Sequence, residues 1–71
     1  MEFREALKLA RKQMKLKQDE LAHSLHITVT TISRWESGKF SPNPLARAVL
    51  IDFCRANGVD EKIIEDLKEK R

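Results

Sequence analysis

The sequence predicts an all-α fold, a compact arrangement of five short helices. Three observations carry this. Apolar residues recur at helical spacing in five separate segments. No segment alternates apolar and polar residues with period two, as a half-buried strand would. The breaks between segments hold helix start signals (Thr28, Asn43-Pro44, Asp60) and stop signals (Gly38, Asn57-Gly58).

The first helix is expected from about Glu2 to Met14, with Phe3, Leu7, Ala10 and Met14 at helical spacing. The second runs from Gln18 to Leu25 and turns Leu21, Ala22 and Leu25 inward. A tight turn at His26 and Ile27 follows. The third helix starts after Thr28, whose hydroxyl is placed to accept a bond from an orphan N–H of the first turn. It ends before Gly38, a residue able to take the positive φ that closes many helices. Ile32 and Trp35 seal its inner side. One aromatic at core spacing, without interleaved basic residues, reads as packing and not as a platform for single-stranded nucleic acid. After the loop from Lys39 to Pro42, Asn43 caps the fourth helix and Pro44 takes its first position. That helix continues through Leu45, Val49 and Phe53 to Asn57-Gly58. Asp60 caps a last helix, to about residue 70, carrying Ile63, Ile64 and Leu67.

At 71 residues the chain is expected to be one domain, 1–71. A core this small leaves little room for a catalytic cleft, no Ser/His/Asp set or Gly-rich phosphate loop is present, and no enzymatic activity is expected. The single Cys54 excludes an internal disulfide and a zinc ligand set, so the expected compartment is a reducing cytoplasm, with no metal or cofactor. No apolar run approaches the roughly 18 residues that span a bilayer, and no membrane association is expected. The net charge of +3 is unevenly placed: residues 1–40 hold eight Lys/Arg against five Asp/Glu, and residues 41–71 hold six against six. The whole excess sits in the half that contains the second and third helices, the charge pattern of a protein that meets a polyanion.

The second and third helices, joined by their tight turn, read as a helix-turn-helix. Val29, Thr30, Ser33 and Arg34 point outward if Ile32 and Trp35 point in, and a helix so divided suits the major groove of double-stranded DNA. Arg34 is the sharpest candidate for reading a base, because its planar fork matches guanine O6 and N7 and discriminates by about 1–3 kcal/mol. The alternative for Arg34 is a phosphate contact or a solvated surface arginine. Thr30 suits a base edge or a thymine methyl and Val29 an apolar contact, with packing at the helix start as the alternative for both. Phosphate contacts are expected from Lys17 and Gln18 at the start of the second helix, from Thr28 and Thr31, and from Lys39, Phe40 and Ser41 beyond the third.

The stretch from Leu9 to Val59 resembles the Xre/lambda-repressor-like helix-turn-helix family. Gln18-Asp19-Glu20-Leu21-Ala22 is similar to the family's Q-x-x-L-A second helix. Thr28-Val29-Thr30-Thr31-Ile32-Ser33-Arg34-Trp35-Glu36-Ser37-Gly38-Lys39 is similar to its third helix and exit, Arg11 lies seven residues before Gln18, and Pro42 follows the exit. The resemblance implies a family-like core over 9–59 and a transcriptional regulator, a repressor, of prokaryotic or phage origin. It also implies an ion pair between Arg11 and Glu36, with Glu36 structural and Arg11 offering a spare N–H to a phosphate; Ile32, Trp35, Leu21 and Ala22 become core. This chain departs from the family at Lys15 and His26, where glycine is common, at Lys17, where Ser or Thr caps, and at Asn57, where Leu is usual.

Two copies about a two-fold axis would read a palindromic operator, their third helices about 34 Å apart. The competing reading is an interaction module, such as an antitoxin that binds a toxin and autoregulates its operon. The last helix, with Ile63, Ile64 and Leu67, either closes the core, forms a homodimer seam or receives that partner. Glu20 and His23 match one Glu-x-x-His pair of a di-metal bundle, which needs two such pairs on long helices, so His23 is expected at the surface.

Overall fold

The computed structural model describes residues 1–68. Among these residues there are five helices and no strand: α1 (Phe3–Gln13), α2 (Gln18–Ser24), α3 (Val29–Ser37), α4 (Pro44–Ala56) and α5 (Glu61–Leu67). The last helix, expected to about residue 70, ends at Leu67, where Lys68 turns to extended backbone at φ −69°, ψ 150°; residues 69–71 lie outside the described residues.

The helix starts follow the capping chemistry of the sequence. The Thr31 N–H donates to Thr28 Oγ1 at 3.3 Å, that of Ala46 to Asn43 Oδ1 at 2.8 Å, and that of Lys62 to Asp60 Oδ1 at 2.9 Å. Lys17 has no acceptor with which to cap α2. Glu20 compensates by reaching back, its carboxylate accepting the Lys17 N–H at 2.7 Å, which is half of a reciprocal capping arrangement.

The ends of α1 to α4 share one device. Each is closed by a residue with positive φ whose N–H bonds back three residues, while the next N–H bonds back five. The pairs are Lys15→Lys12 with Leu16→Arg11, His26→His23 with Ile27→Ala22, Gly38→Trp35 with Lys39→Arg34, and Gly58→Arg55 with Val59→Cys54, all between 3.0 and 3.3 Å. Lys15 and His26 both take φ 58°, so the two departures from family glycine are held in the left-handed region. After three of the four turns an apolar residue, Leu16, Ile27 or Val59, folds back against the core. Asn57 helps finish α4, its side-chain amide donating to the Phe53 carbonyl at 2.8 Å.

In the packing, α1 lies on α3 and α5, α2 on α3, and α4 on α5. The buried core comprises Ala6, Leu7 and Ala10 of α1, Leu21 and Ala22 of α2, Ile32 and Trp35 of α3, Leu50 and Cys54 of α4, Val59, and Ile63, Ile64 and Leu67 of α5. Of the roles open to Ile63, Ile64 and Leu67, the structure shows core closure and not an exposed seam for a partner. These side chains cover α1 and α4, and burying such a side chain stabilises by about 1.5–3 kcal/mol. On α4, Leu45 and Val49 do not face inward; they are 74% and 47% exposed, and Leu50 and Cys54 take the core instead. A ladder of stacked groups ties the ends together: Phe3 meets Trp35 edge-on at 6.5 Å, Arg47 lies 4.6 Å over the Phe3 ring, and Arg47 Nη1 donates to the Leu67 carbonyl at 2.7 Å.

Two predictions concern stability. Lys15→Gly and His26→Gly should each stabilise by about 0.5–1 kcal/mol in urea titrations, because a left-handed non-glycine residue costs about 1–2 kcal/mol and the looser unfolded chain returns part of that. A loss of stability in either variant would show that its side chain makes a contact worth more than the strain. The second concerns Cys54, whose thiol is pushed up to about 11 by burial. The unfolded thiol ionises near pH 8.5, so its contribution is complete below that pH and is lost as pH rises toward 11. Cys54→Ala should therefore show a shallower fall in stability between pH 8.5 and 11 than the parent, measured by denaturant midpoints.

Candidate nucleic-acid interface

The outer face of α3 is set by what its inner face must bury. With Ile32, Trp35 and Glu36 buried, the 3.6-residue period turns Val29, Thr30, Ser33 and Arg34 to solvent, and all four are exposed. None of these four side chains hydrogen-bonds to the rest of the described chain. Thr28 and Thr31 meet at the first turn, their hydroxyl oxygens 3.0 Å apart. Thr31 is thus half-buried and engaged in the cap, while Thr28 is exposed.

Behind this face lies a three-residue knot. Glu36, 3% exposed, accepts from Arg11 Nε at 2.7 Å through Oε2, and from Arg11 Nη2 at 3.0 Å and Gln18 Nε2 at 3.1 Å through Oε1. Arg11 Nη1 also donates to the Leu16 carbonyl at 3.1 Å. The hydrogen bonds to Glu36 raise the Arg11 pKa above its ordinary value and outweigh the opposing effect of burial, with the carboxylate charge adding to the rise. The arrangement ties the end of α1, the start of α2 and the end of α3 to one point. It also restricts what Arg11 and Gln18 can offer outward. Each of the three Arg11 nitrogens gives one N–H to the protein, leaving two of the five a guanidinium has. Gln18 gives one of its two amide N–H groups.

The exit from α3 carries the remaining candidates. Lys39, Phe40 and Ser41 are exposed on the loop after Gly38, and Pro42 beyond them is buried and anchors it. Phe40 is 57% exposed, and the Arg34 guanidinium carbon lies 5.3 Å from its ring centroid, within the range of a cation–π contact. At Gly38 a Cβ would meet Cδ and Nη1 of Arg4 at 3.1 Å, so Arg4 of α1 lies across the end of α3. Sequence reasoning did not find Arg4, because nothing in the spacing of α1 signals a contact with a residue 34 positions later. Lys17 is exposed at the start of α2, and His23 is exposed on α2. The structure thus brings Arg11, Gln18 and Glu36 together, and groups Arg34 with Phe40, while Lys17 stands alone at the α2 start.

A third surface was not anticipated. Leu45 and Val49 of α4, with Leu25, Ile27, Trp35 and Ala46, line a shallow apolar groove beside the turn between α2 and α3. Among the described residues no helix is long and apolar enough to cross a membrane.

The sequence model of the helix-turn-helix family matches residues 7–62, most of the chain. Over 43 residues, 61% of the chain, the sequence is 49% identical to the HTH-type transcriptional activator BcrR of Enterococcus faecalis. The chain spans about a fifth, 21%, of the length of that relative. No solved structure matches.

The knot yields a prediction of its own. Arg11→Ala should destabilise by about 3 kcal/mol, the low end for breaking a buried pair, since Arg11 keeps 18% exposure. A chain of this size has only about 4–10 kcal/mol in total, so the loss is plain in thermal unfolding. Arg11→Lys should recover little, because an ammonium has no fork for the two carboxylate oxygens. Full recovery by lysine would mean that charge alone holds the knot.

Proposed function

The chain belongs to the Xre/lambda-repressor-like helix-turn-helix family, and on that premise we propose that it is a transcriptional regulator that binds double-stranded DNA by sequence, laying α3 in the major groove. The observation that supports this most directly is the division of α3: Ile32, Trp35 and Glu36 hold it to the core, while Val29, Thr30, Ser33 and Arg34 stand free on the opposite face. In this reading those four side chains contact base edges, and Arg34 takes a guanine. Lys17, Gln18, Thr28, Thr31, Lys39 and Ser41, with the remaining N–H groups of Arg11, contact phosphates on either side.

A palindromic operator read by two copies is the second part of the proposal, and size supports it. The described residues measure 26 × 25 × 19 Å, less than the roughly 34 Å between successive major grooves on one side of a duplex. One copy therefore presents one α3 to one half-site, and a second copy reads the other. With Ile63, Ile64 and Leu67 in the core, the exposed α4 face at Leu45 and Val49 takes their place as the surface offered to that copy. The toxin-binding alternative calls for an exposed apolar patch; Ile63, Ile64 and Leu67 do not supply it, and the α4 face at Leu45 and Val49 is the patch such a partner would use. A repressor role is part of the proposal because repression needs only occupation of the duplex. Activation, the role named for the Enterococcus relative, requires a further contact with the transcription machinery.

Selection of random duplex DNA on the purified protein at about 0.15 M salt tests the whole reading. Enrichment of a motif with half-sites about ten base pairs apart supports the dimeric regulator; absence of any enriched motif overturns sequence-specific binding. On the enriched duplex, Arg34→Ala should lose roughly 5- to 150-fold of discrimination at one base pair. Lys39→Ala should weaken every sequence alike and lower the salt slope by about one. The same loss on specific and random duplex for both variants would remove the division between base and phosphate contacts.

A further inference from the structure

We propose that Phe40 is a positioning residue for base recognition: its ring holds the Arg34 guanidinium in a fixed plane while leaving the N–H edge open for a guanine. The proposal rests on the reading of α3 as the base-contacting helix.

The geometry comes from the way α3 ends. Arg34 supplies the carbonyl that receives the Lys39 N–H at 3.2 Å, and Gly38 turns the backbone through φ 81°. That reversal brings residue 40 back over residue 34, though the two are six apart in sequence and would face different sides of a continuous helix. The Arg34 guanidinium then lies 5.3 Å from the Phe40 ring centroid. Among the described residues it has no hydrogen-bond or ion-pair partner.

This matters because an arginine is held in two different ways. A carboxylate partner uses the N–H edge, the same edge that bonds guanine O6 and N7. A ring uses the face and leaves all five N–H groups available. An unsupported arginine on a helix surface samples many rotamers, and ordering it on binding costs about 0.5–1.5 kcal/mol. A stacked one has given up part of that freedom before DNA arrives. The loop that carries Phe40 is itself anchored, by the Lys39 backbone bond on one side and by buried Pro42 and the Asn43 cap on the other. The backbone that carries the ring is therefore held on both sides. Phe40 is 57% exposed and Arg34 is exposed, so a duplex can reach the ring and the guanidinium together.

The test uses the duplex enriched by selection, together with the same duplex altered at each base pair in turn, and three variants: Phe40→Leu, Phe40→Trp and Arg34→Ala. Leucine keeps apolar bulk and removes the ring face; tryptophan keeps a ring. Phe40→Leu should reduce discrimination by about two- to fivefold, and only at the base pair that Arg34→Ala identifies. Phe40→Trp should retain it. In the Arg34→Ala background, Phe40→Leu should change nothing further at that base pair, as a double-mutant cycle requires of coupled residues. In the free protein, the Arg34 side-chain proton resonances should move on Phe40→Leu as the ring current is lost, with an unchanged thermal midpoint. The proposal is overturned by equal weakening on all sequences, by additive effects in the cycle, or by an Arg34 spectrum indifferent to the ring. If Arg34→Ala itself shows no base-specific loss, the assignment of Arg34 falls and the role of Phe40 falls with it. If Arg34→Ala shows the loss and Phe40→Leu does not, only the positioning role is overturned.

Discussion

Everything on the outer face depends on one buried carboxylate. Glu36 is 3% exposed and carries a charge that water cannot reach, so its two oxygens must be satisfied by groups the fold brings to it. Arg11 and Gln18 do that from two other helices, with three hydrogen bonds of 2.7–3.1 Å. A nine-residue helix such as α3 has little stability alone, and its inner side offers only Ile32 and Trp35 for burial. The knot fixes the far end of α3 to the start of α2 and the end of α1. The angle between the two helices of the motif is thereby set by directional bonds, which tolerate slippage less well than apolar packing does. That is the property a surface of fixed shape requires.

The second constraint is the repeated way in which α1 to α4 stop. A chain with seven- to thirteen-residue helices must reverse often, and each stop leaves carbonyls without partners. The same two backbone bonds satisfy them four times. Glycine takes the left-handed position at Gly38 and Gly58, where its lack of Cβ removes the strain. Lys15 and His26 take it with the strain present. Three of the turns then return an apolar side chain to the core, so a stop signal and a packing contact are delivered by adjacent residues.

How much of this was legible follows from which features are local. Caps at Thr28, Asn43 and Asp60 and the stop at Gly38 act within four residues, and the helix boundaries they imply lie within one or two residues of those observed over the described chain. The face of α3 was legible because its apolar positions are few. On α4 the inner face was not legible: Leu45, Ala46, Ala48, Val49, Leu50, Ile51, Phe53 and Cys54 are apolar nearly all the way round, and periodicity does not choose among them. The choice is made by α5, whose Ile63, Ile64 and Leu67 lie in the core on the Leu50 and Cys54 side. For the same reason the fifth helix was ambiguous between cover and partner surface. Of the candidate site, the outward face of α3 was readable, whereas the contact of Arg34 with the Phe40 ring and the approach of Arg4 to Gly38 arise only after the chain has folded back.

The side chains that α3 turns outward and those that hold the fold are separate sets. Val29, Thr30, Ser33 and Arg34 contribute no side-chain hydrogen bond to the rest of the described chain, and the knot, caps and core contain none of them. If α3 reads bases as proposed, exchange at these positions alters what the protein recognises while leaving intact what keeps it folded. A duplicated copy of this gene can therefore drift toward a new target one substitution at a time, with a folded product at every intermediate step. The same separation makes the scaffold a ready host for a small combinatorial library confined to one helix face.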